Sequence, residues 1–356
     1  MSLLRAAFLF ILAAALGGCA EIRYYAQAVH GELSVLGSAR PISEVLADPQ
    51  TDGKLRERLQ KVQQIRAFAV SELDLPDNGS YQSYADLKRR YVLWNVVATP
   101  ELSLKARQWC FPIAGCVSYR GYYRESDADA FAENLRREGD DVMVGGVPAY
   151  STLGWFSDPV LSTFVNDSDA ELARMIFHEL AHQTVYARGD SQFNEAFATA
   201  VEEAGVTLWL EQHGDDKLRR SYAGREKRET DFLALLLDTR KKLEADYASN
   251  ASDDDKRMRK AAIFAELRDE YQGVKASWGG YTGYDAWFAR PLNNANLALL
   301  ATYHDYVPAF RALLRQAGSF PKFYDAVREL AELDIDERRE RLKALLPVTQ
   351  LPPKIQ

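Results

Sequence analysis

Two histidines four residues apart, with a glutamate directly after the first, are the side chains in this sequence best suited to chemistry: His178, Glu179 and His182 in FHELAH. Upstream, Ser168 followed by Glu171 has the form of a capping box, and the apolar periodicity after it predicts a helix that runs until Arg188 and Gly189 break it. Residues four apart in a helix stack on one face, so both imidazoles can reach a single tetrahedral zinc ion. Glu179, beside the first imidazole, is then placed to take a proton from water at that ion without being a ligand. The chain holds five histidines in 356 residues, so the pattern is uncommon by chance. The competing reading, unrelated histidines on a packed helix, leaves polar groups inside the apolar run MIFHELA, which is costly unless they are paired or metal-bound.

A catalytic zinc takes three protein ligands and keeps a position for water, so one more ligand is needed. After the break, Asp190 or Ser191 caps a second predicted helix that runs to His213 and stops at Gly214. The turn between the helices can return Glu195 to the metal, while Asp190 sits within the turn as a cap. Glu202 lies two turns beyond Glu195 on the same face, where it is either a partner for a ligand histidine or a surface acid.

HExxH followed by Asn194-Glu195 and a small residue is similar to the gluzincin peptidases, thermolysin-like enzymes and zinc aminopeptidases, whose third ligand is that Glu. Further stretches, WCFPIAGCVSYRGYY, VGGVPAYSTLGWFSDPVLSTF, FNEAFATAVEE and NNANLALLATYHDYVPAF, resemble the bacterial putative aminopeptidase family of exported proteins over nearly all of residues 20–330. The resemblance implies one zinc ion on His178, His182 and Glu195, Glu179 as the base that activates its water, and hydrolysis of peptide bonds in the bacterial envelope. It also implies a gluzincin-like core. Three features depart from the wider group: the link from His182 to Glu195 is short, Thr199 stands where thermolysin-like enzymes have Asp, and no Gly-x-Met-Glu-Asn segment is present to hold a substrate's free amino terminus. An endopeptidase and a non-enzymatic lipoprotein binding module are therefore the alternatives to an aminopeptidase.

The elements that must position this site predict an α+β chain, predominantly helical, with a small sheet before the HExxH helix. Helices are expected from Ile42 and from Asp52 to a stop near Pro76, and strands over residues 91–97, 116–123 and 141–153, with a helix ending at Gly139 between the last two. The segment VGGVPAYSTL, just before the site helix, reads either as a sheet edge that pairs with an extended peptide or as a plain core strand. Residues 214–275 read as a long charged helical hairpin, a lid if docked and a partner surface if exposed, and residues 293–346 as about three further helices. Tyr281, Tyr284, Tyr303 and His304 are candidates to stabilise an oxyanion, with packing the commoner role for any one of 18 tyrosines.

Arg5, the apolar run of residues 6–16 and LGGC read as an export signal over residues 1–18. Its lipobox-like end makes Cys19 a lipidated first residue, and Ala20 after it favours the periplasmic face of the outer membrane; an ordinary signal with an incidental cysteine is the alternative. Export permits a disulfide between Cys110 and Cys116 in place of two buried thiols. One mature domain over residues 19–350 is expected, with a helical part at 40–110 and the peptidase core at 111–350. A net charge of −7 with dispersed basic residues argues against nucleic acid as a partner. Expected partners are a peptide or protein substrate and a membrane reached by the lipid alone.

Overall fold

The computed structural model describes residues 21–111, 115–300 and 306–346. Cys19 and the signal segment lie outside them, as do Tyr303 and His304. The fold is α+β and predominantly helical. It opens with a helix over residues 21–38 (α1), an element not among those expected from the sequence. Short β1 (Ala39–Pro41) leads to α2 (Ile42–Ala47) and the long α3 (Gly53–Leu73), capped by the Asp52 carboxylate.

Among the described residues the strands form three small sheets instead of one. In the first, β2 (Ser83–Ala85) lies between β1 and β8 (Val160–Leu161). In the second, β3 (Leu93–Pro100) is flanked by β6 (Arg120–Tyr122) and β7 (Asp140–Val147), both antiparallel to it. The third is the hairpin of β4 (Trp109–Phe111) and β5 (Gly115–Val117), with Cys110 opposite Cys116 and joined to it by a disulfide. Only β3 and β7 are long enough to pair over eight residues. The strand expected over 141–153 stops at Val147 because Pro148 cannot donate to a ladder, and the backbone turns into the cleft instead. Helix α4 (Glu125–Arg137) covers this sheet.

The centre of the molecule is α5 (Asp169–Thr184) packed along α6 (Ser191–His213). Close approach is possible because a Cβ at Gly205 would sit 2.8 Å from the Phe177 ring and 2.7 Å from Leu73. Phe177 stacks on Phe68 of α3, and Trp209 meets the same ring edge-on, so three helices share one aromatic core. Helix α5 ends four residues before the expected break, since Val185 is already extended. Only half of the expected capping box forms. The Ser168 hydroxyl accepts from the Glu171 backbone, but the Glu171 carboxylate turns to Arg225, 2.7 Å away, because an ion pair outcompetes a neutral cap.

Helices α7 (Asp216–Tyr247) and α8 (Asp253–Ser277) form the charged hairpin, which is docked on the body. It builds a separate apolar cluster from Leu236, Leu243, Phe264, Leu267 and Tyr271, joined by Phe288 of the short α9 (Asp285–Phe288). Lys260 on α8 reaches Asp141 of β7 at 2.6 Å, and Arg240 on α7 donates to the Leu297 carbonyl. Tyr284 stacks on Phe232, and Tyr281 lies under the Arg228 guanidinium, so both expected oxyanion candidates on this side serve packing. Helices α10 (Val307–Ala317), α11 (Phe320–Glu332) and α12 (Ile335–Leu345) close the molecule against α6. Among the described residues no helix is long and apolar enough to cross a membrane.

Candidate metal centre

The turn between α5 and α6 is tied down at every polar group that matters. The Asn194 side chain accepts from the Ala187 N–H at 2.7 Å and donates to the Ala187 carbonyl at 2.9 Å, both buried. Asp190 caps α6 through the Phe193 N–H and pairs at 2.8 Å with Arg338, a buried guanidinium on α12. Gly189 takes the left-handed conformation the reversal requires. Gly115 comes so close that a Cβ there would stand 2.8 Å from the Gly189 nitrogen, so the disulfide hairpin rests on this turn.

With the turn so held, Glu195 comes back to the two histidines. Its Oε2 lies 3.3 Å from His178 Nε2 and 3.8 Å from His182 Nε2, and the two Nε2 atoms are 3.1 Å apart. One ligand atom from each residue falls within 4.8 Å of the others, and among the described residues this is the group that could hold a metal ion. His213 is used differently, stacked on Trp209 at 4.0 Å, and His30 is exposed.

Glu202 fixes the orientation. It accepts from His178 Nδ1 at 2.8 Å, which leaves Nε2 directed at the shared point. The place of the Asp that thermolysin-like enzymes carry, here Thr199, is thus taken by a carboxylate one turn later on α6. Arg174 on α5 holds the other Glu202 oxygen at 2.7 Å and reaches Glu229 of α7, which in turn pairs with Arg225. The alternating charges run from the candidate ligand out to the docked hairpin. Burial alone would lower the His178 imidazole, but Glu195 and Glu202 on its two nitrogens outweigh it and hold it well above the usual range. His182, without such partners, is pushed down to about 4 by burial. Glu195 and Glu202 are held below the usual carboxylate range despite burial, by the histidines and, for Glu202, first of all by Arg174. Two imidazoles and an ionised carboxylate converging on one point are a donor set that fits a divalent cation.

Glu179 is buried, lines the same cleft, and accepts no hydrogen bond from another described residue. Burial raises it to about 7; His178 pulls the other way, and Glu195 and Asp158 add to the rise. A carboxyl in that state and place is the pattern of a proton-transfer group. Asp158, raised to about 6 by burial, is enclosed by Thr152, Ser151 and Gln183 behind the cleft.

The cleft has a volume of about 550 Å³. One wall is the end of β7 and the segment after it, from Val147 through Ser151, so the VGGVPAYSTL stretch does border the site as an edge of its sheet. Tyr24 and Ala28 of α1 also line it. Tyr119 and Tyr186 also face the cleft, and each phenol is raised by burial and then by the Glu195 charge. Neither stood out in the sequence, although Tyr186 follows His182 by four residues. The sequence analysis assigns no element to the α1 residues, although Ile22, Tyr25, Val29 and Leu33 recur at helical spacing.

The chain belongs to the family described as Putative aminopeptidase, whose model matches residues 23–342. Neither a curated protein nor a solved structure matches it.

If the cluster takes up a divalent cation and Glu202 orients His178 for it, Glu202→Gln lowers the affinity for that ion by roughly 10- to 100-fold while the helical circular dichroism stays unchanged. A competitive chelator titration reads this directly, and an unchanged affinity would remove Glu202 from the site.

Proposed function

We propose that the protein is a zinc-dependent aminopeptidase of the bacterial envelope, with a gluzincin-like core in which His178, His182 and Glu195 hold one zinc ion. The observation that carries this reading is the convergence of those three ligand atoms beside a buried Glu179 that accepts no hydrogen bond among the described residues. Zinc bound there supplies a Lewis acid for a scissile carbonyl and lowers the pKa of water toward neutrality.

The chain's own residues do the rest. Glu179 takes the proton from the attacking water and returns it to the leaving amine, a double role that suits a carboxyl raised toward neutral pH. Val147 at the end of β7, an outer strand of its sheet, and the backbone beyond it align an extended peptide along the cleft. Tyr119 is the phenol proposed to donate to the developing oxyanion, and its raised pKa keeps it protonated for that purpose. Arg174 and Glu202 keep the first histidine in one tautomer through the reaction.

The test is hydrolysis of unblocked amino-acid amides by zinc-loaded protein starting after Cys19, compared with Glu179→Gln. Removing a general base costs about 10²- to 10⁴-fold in kcat, and zinc content should be unchanged. A Glu179→Gln variant as active as the parent would refute the assignment.

We further propose that Cys19 carries the lipid that anchors the protein at the periplasmic face of the outer membrane, on the strength of the LGGC segment. Metabolic labelling with a radioactive fatty acid should mark the full-length protein and leave Cys19→Ser unlabelled; label on both would place the lipid elsewhere.

A further inference from the structure

Helix α1 has two apolar sides, and the body of the molecule covers one of them. On the inner side Tyr24 stacks on Phe111, a Cβ at Gly31 would meet the Tyr123 ring, and Val35 is buried. Ile22, Val29 and Leu33 lie half a turn away on the outer side, with Tyr25 at its edge. Ile22 is 71% exposed, Val29 59% and Leu33 58%. Among the described residues nine large apolar side chains are exposed, and α1 carries four of them. The rest are divided among the loop after Gly154, α8, the segment before α9 and the start of α12. Single exposed apolar residues need no explanation, but a stripe along one helix does.

The polar residues of α1 follow the same division. Its two acids are turned to the body: Glu21 pairs with Arg120 at 3.0 Å, and Glu32 accepts from the Tyr123 hydroxyl at 2.6 Å and from that of Tyr150. No carboxylate of α1 therefore lies along the outer stripe, and the exposed Arg23 and His30 flank it. An apolar stripe with a cation at its margin is the pattern of a helix that lies in a lipid–water interface. Cys19, the proposed site of lipid attachment, precedes Ile22 by three residues, so the chain cannot separate the two by more than about 11 Å. A lipid on Cys19 thus brings the stripe to the membrane surface. A second copy of the chain is the poorer occupant. From Ile22 to Leu33 the stripe runs only about 16 Å and is one side chain wide, whereas a stable protein interface buries about 800 Å² on each partner.

We propose that the outer stripe of α1, Ile22, Val29 and Leu33 with Tyr25, seats the protein on a phospholipid surface. The inference rests on the reading of Cys19 as the lipid-bearing residue and adds an orientation to it. Tyr24 and Ala28, on the inner side of the same helix, line the cleft, so the cleft is held about 10 Å, one helix diameter, from the lipid.

The experiment is co-flotation with vesicles of phosphatidylethanolamine and phosphatidylglycerol, using protein starting after Cys19, which carries every described residue and no lipid. The parent should float with the vesicles. Val29→Gln combined with Leu33→Gln removes two exposed side chains, so the circular dichroism should hold while partitioning falls about 10- to 100-fold. Met258→Gln, which removes a comparably exposed side chain from α8, should float as the parent does. A parent that stays in solution would overturn the proposal, as would a double variant that floats equally well or an equal loss in Met258→Gln. Parent dimers that the double variant abolishes, with no flotation, would assign the stripe to a second copy and overturn it as well. Fatty-acid labelling reads the anchor separately. Label on Cys19 with a parent that stays in solution ends the seat and keeps the anchor, whereas flotation without label keeps the seat and ends the anchor.

Discussion

The hydrogen bond from His178 Nδ1 to Glu202, backed by Arg174, is the interaction on which the site depends. It spans the two central helices, so it fixes their relative register as well as the imidazole. Without it, Glu202 keeps only its pair with the half-buried Arg174, and the first imidazole loses the contact that sets its orientation. The surrounding scaffold keeps that geometry. Gly205 lets α6 approach the Phe177 ring, Asn194 locks the connecting turn, and the Asp190–Arg338 pair ties the start of α6 to the last helix of the fold.

The charged hairpin fits the same logic. Its sequence reads as the solvated faces of packed helices, a lid if docked and a partner surface if exposed; the hairpin is docked, Glu229 and Arg225 of α7 continue the ionic chain that begins at His178, and its own apolar cluster gives it rigidity. A ligand orientation supported by three helices is less free to relax than one supported by a loop. That is the condition for a preorganised site, in which fixed charges need not rearrange as a reaction proceeds.

The parts legible in the sequence were those governed by local rules. His178, Glu179 and His182 share a helix, so their spacing alone placed them together. Asp190 and Gly214 gave the limits of α6 by capping chemistry, and the turn between the helices was short enough to imply the return of Glu195. Thr184 as the end of α5 was missed because Val185 leaves the helix under tertiary packing and not at a breaker residue. The half-formed capping box failed for a similar reason, since Arg225, distant in sequence, takes the Glu171 carboxylate. The α1 side of the cleft was missed. Residues 21–38 do carry apolar residues at helical spacing, Ile22, Tyr25, Val29 and Leu33, but that stripe is exposed, and the helix is held instead by Gln27, Gly31 and Glu32 contacts with residues some ninety or more positions away. Tyr123 and Tyr150 likewise acquire meaning only once α1 is seated.

Whether His178, His182 and Glu195 form one zinc centre is the central claim, and anomalous diffraction at the zinc edge from crystals of the zinc-loaded protein tests it most directly. The account predicts a single strong peak bonded to Nε2 of both histidines and to the Glu195 carboxylate at about 2.0–2.2 Å, with Glu179 outside the coordination sphere. A peak on other residues, or a folded protein that takes up no zinc at this position, would contradict it.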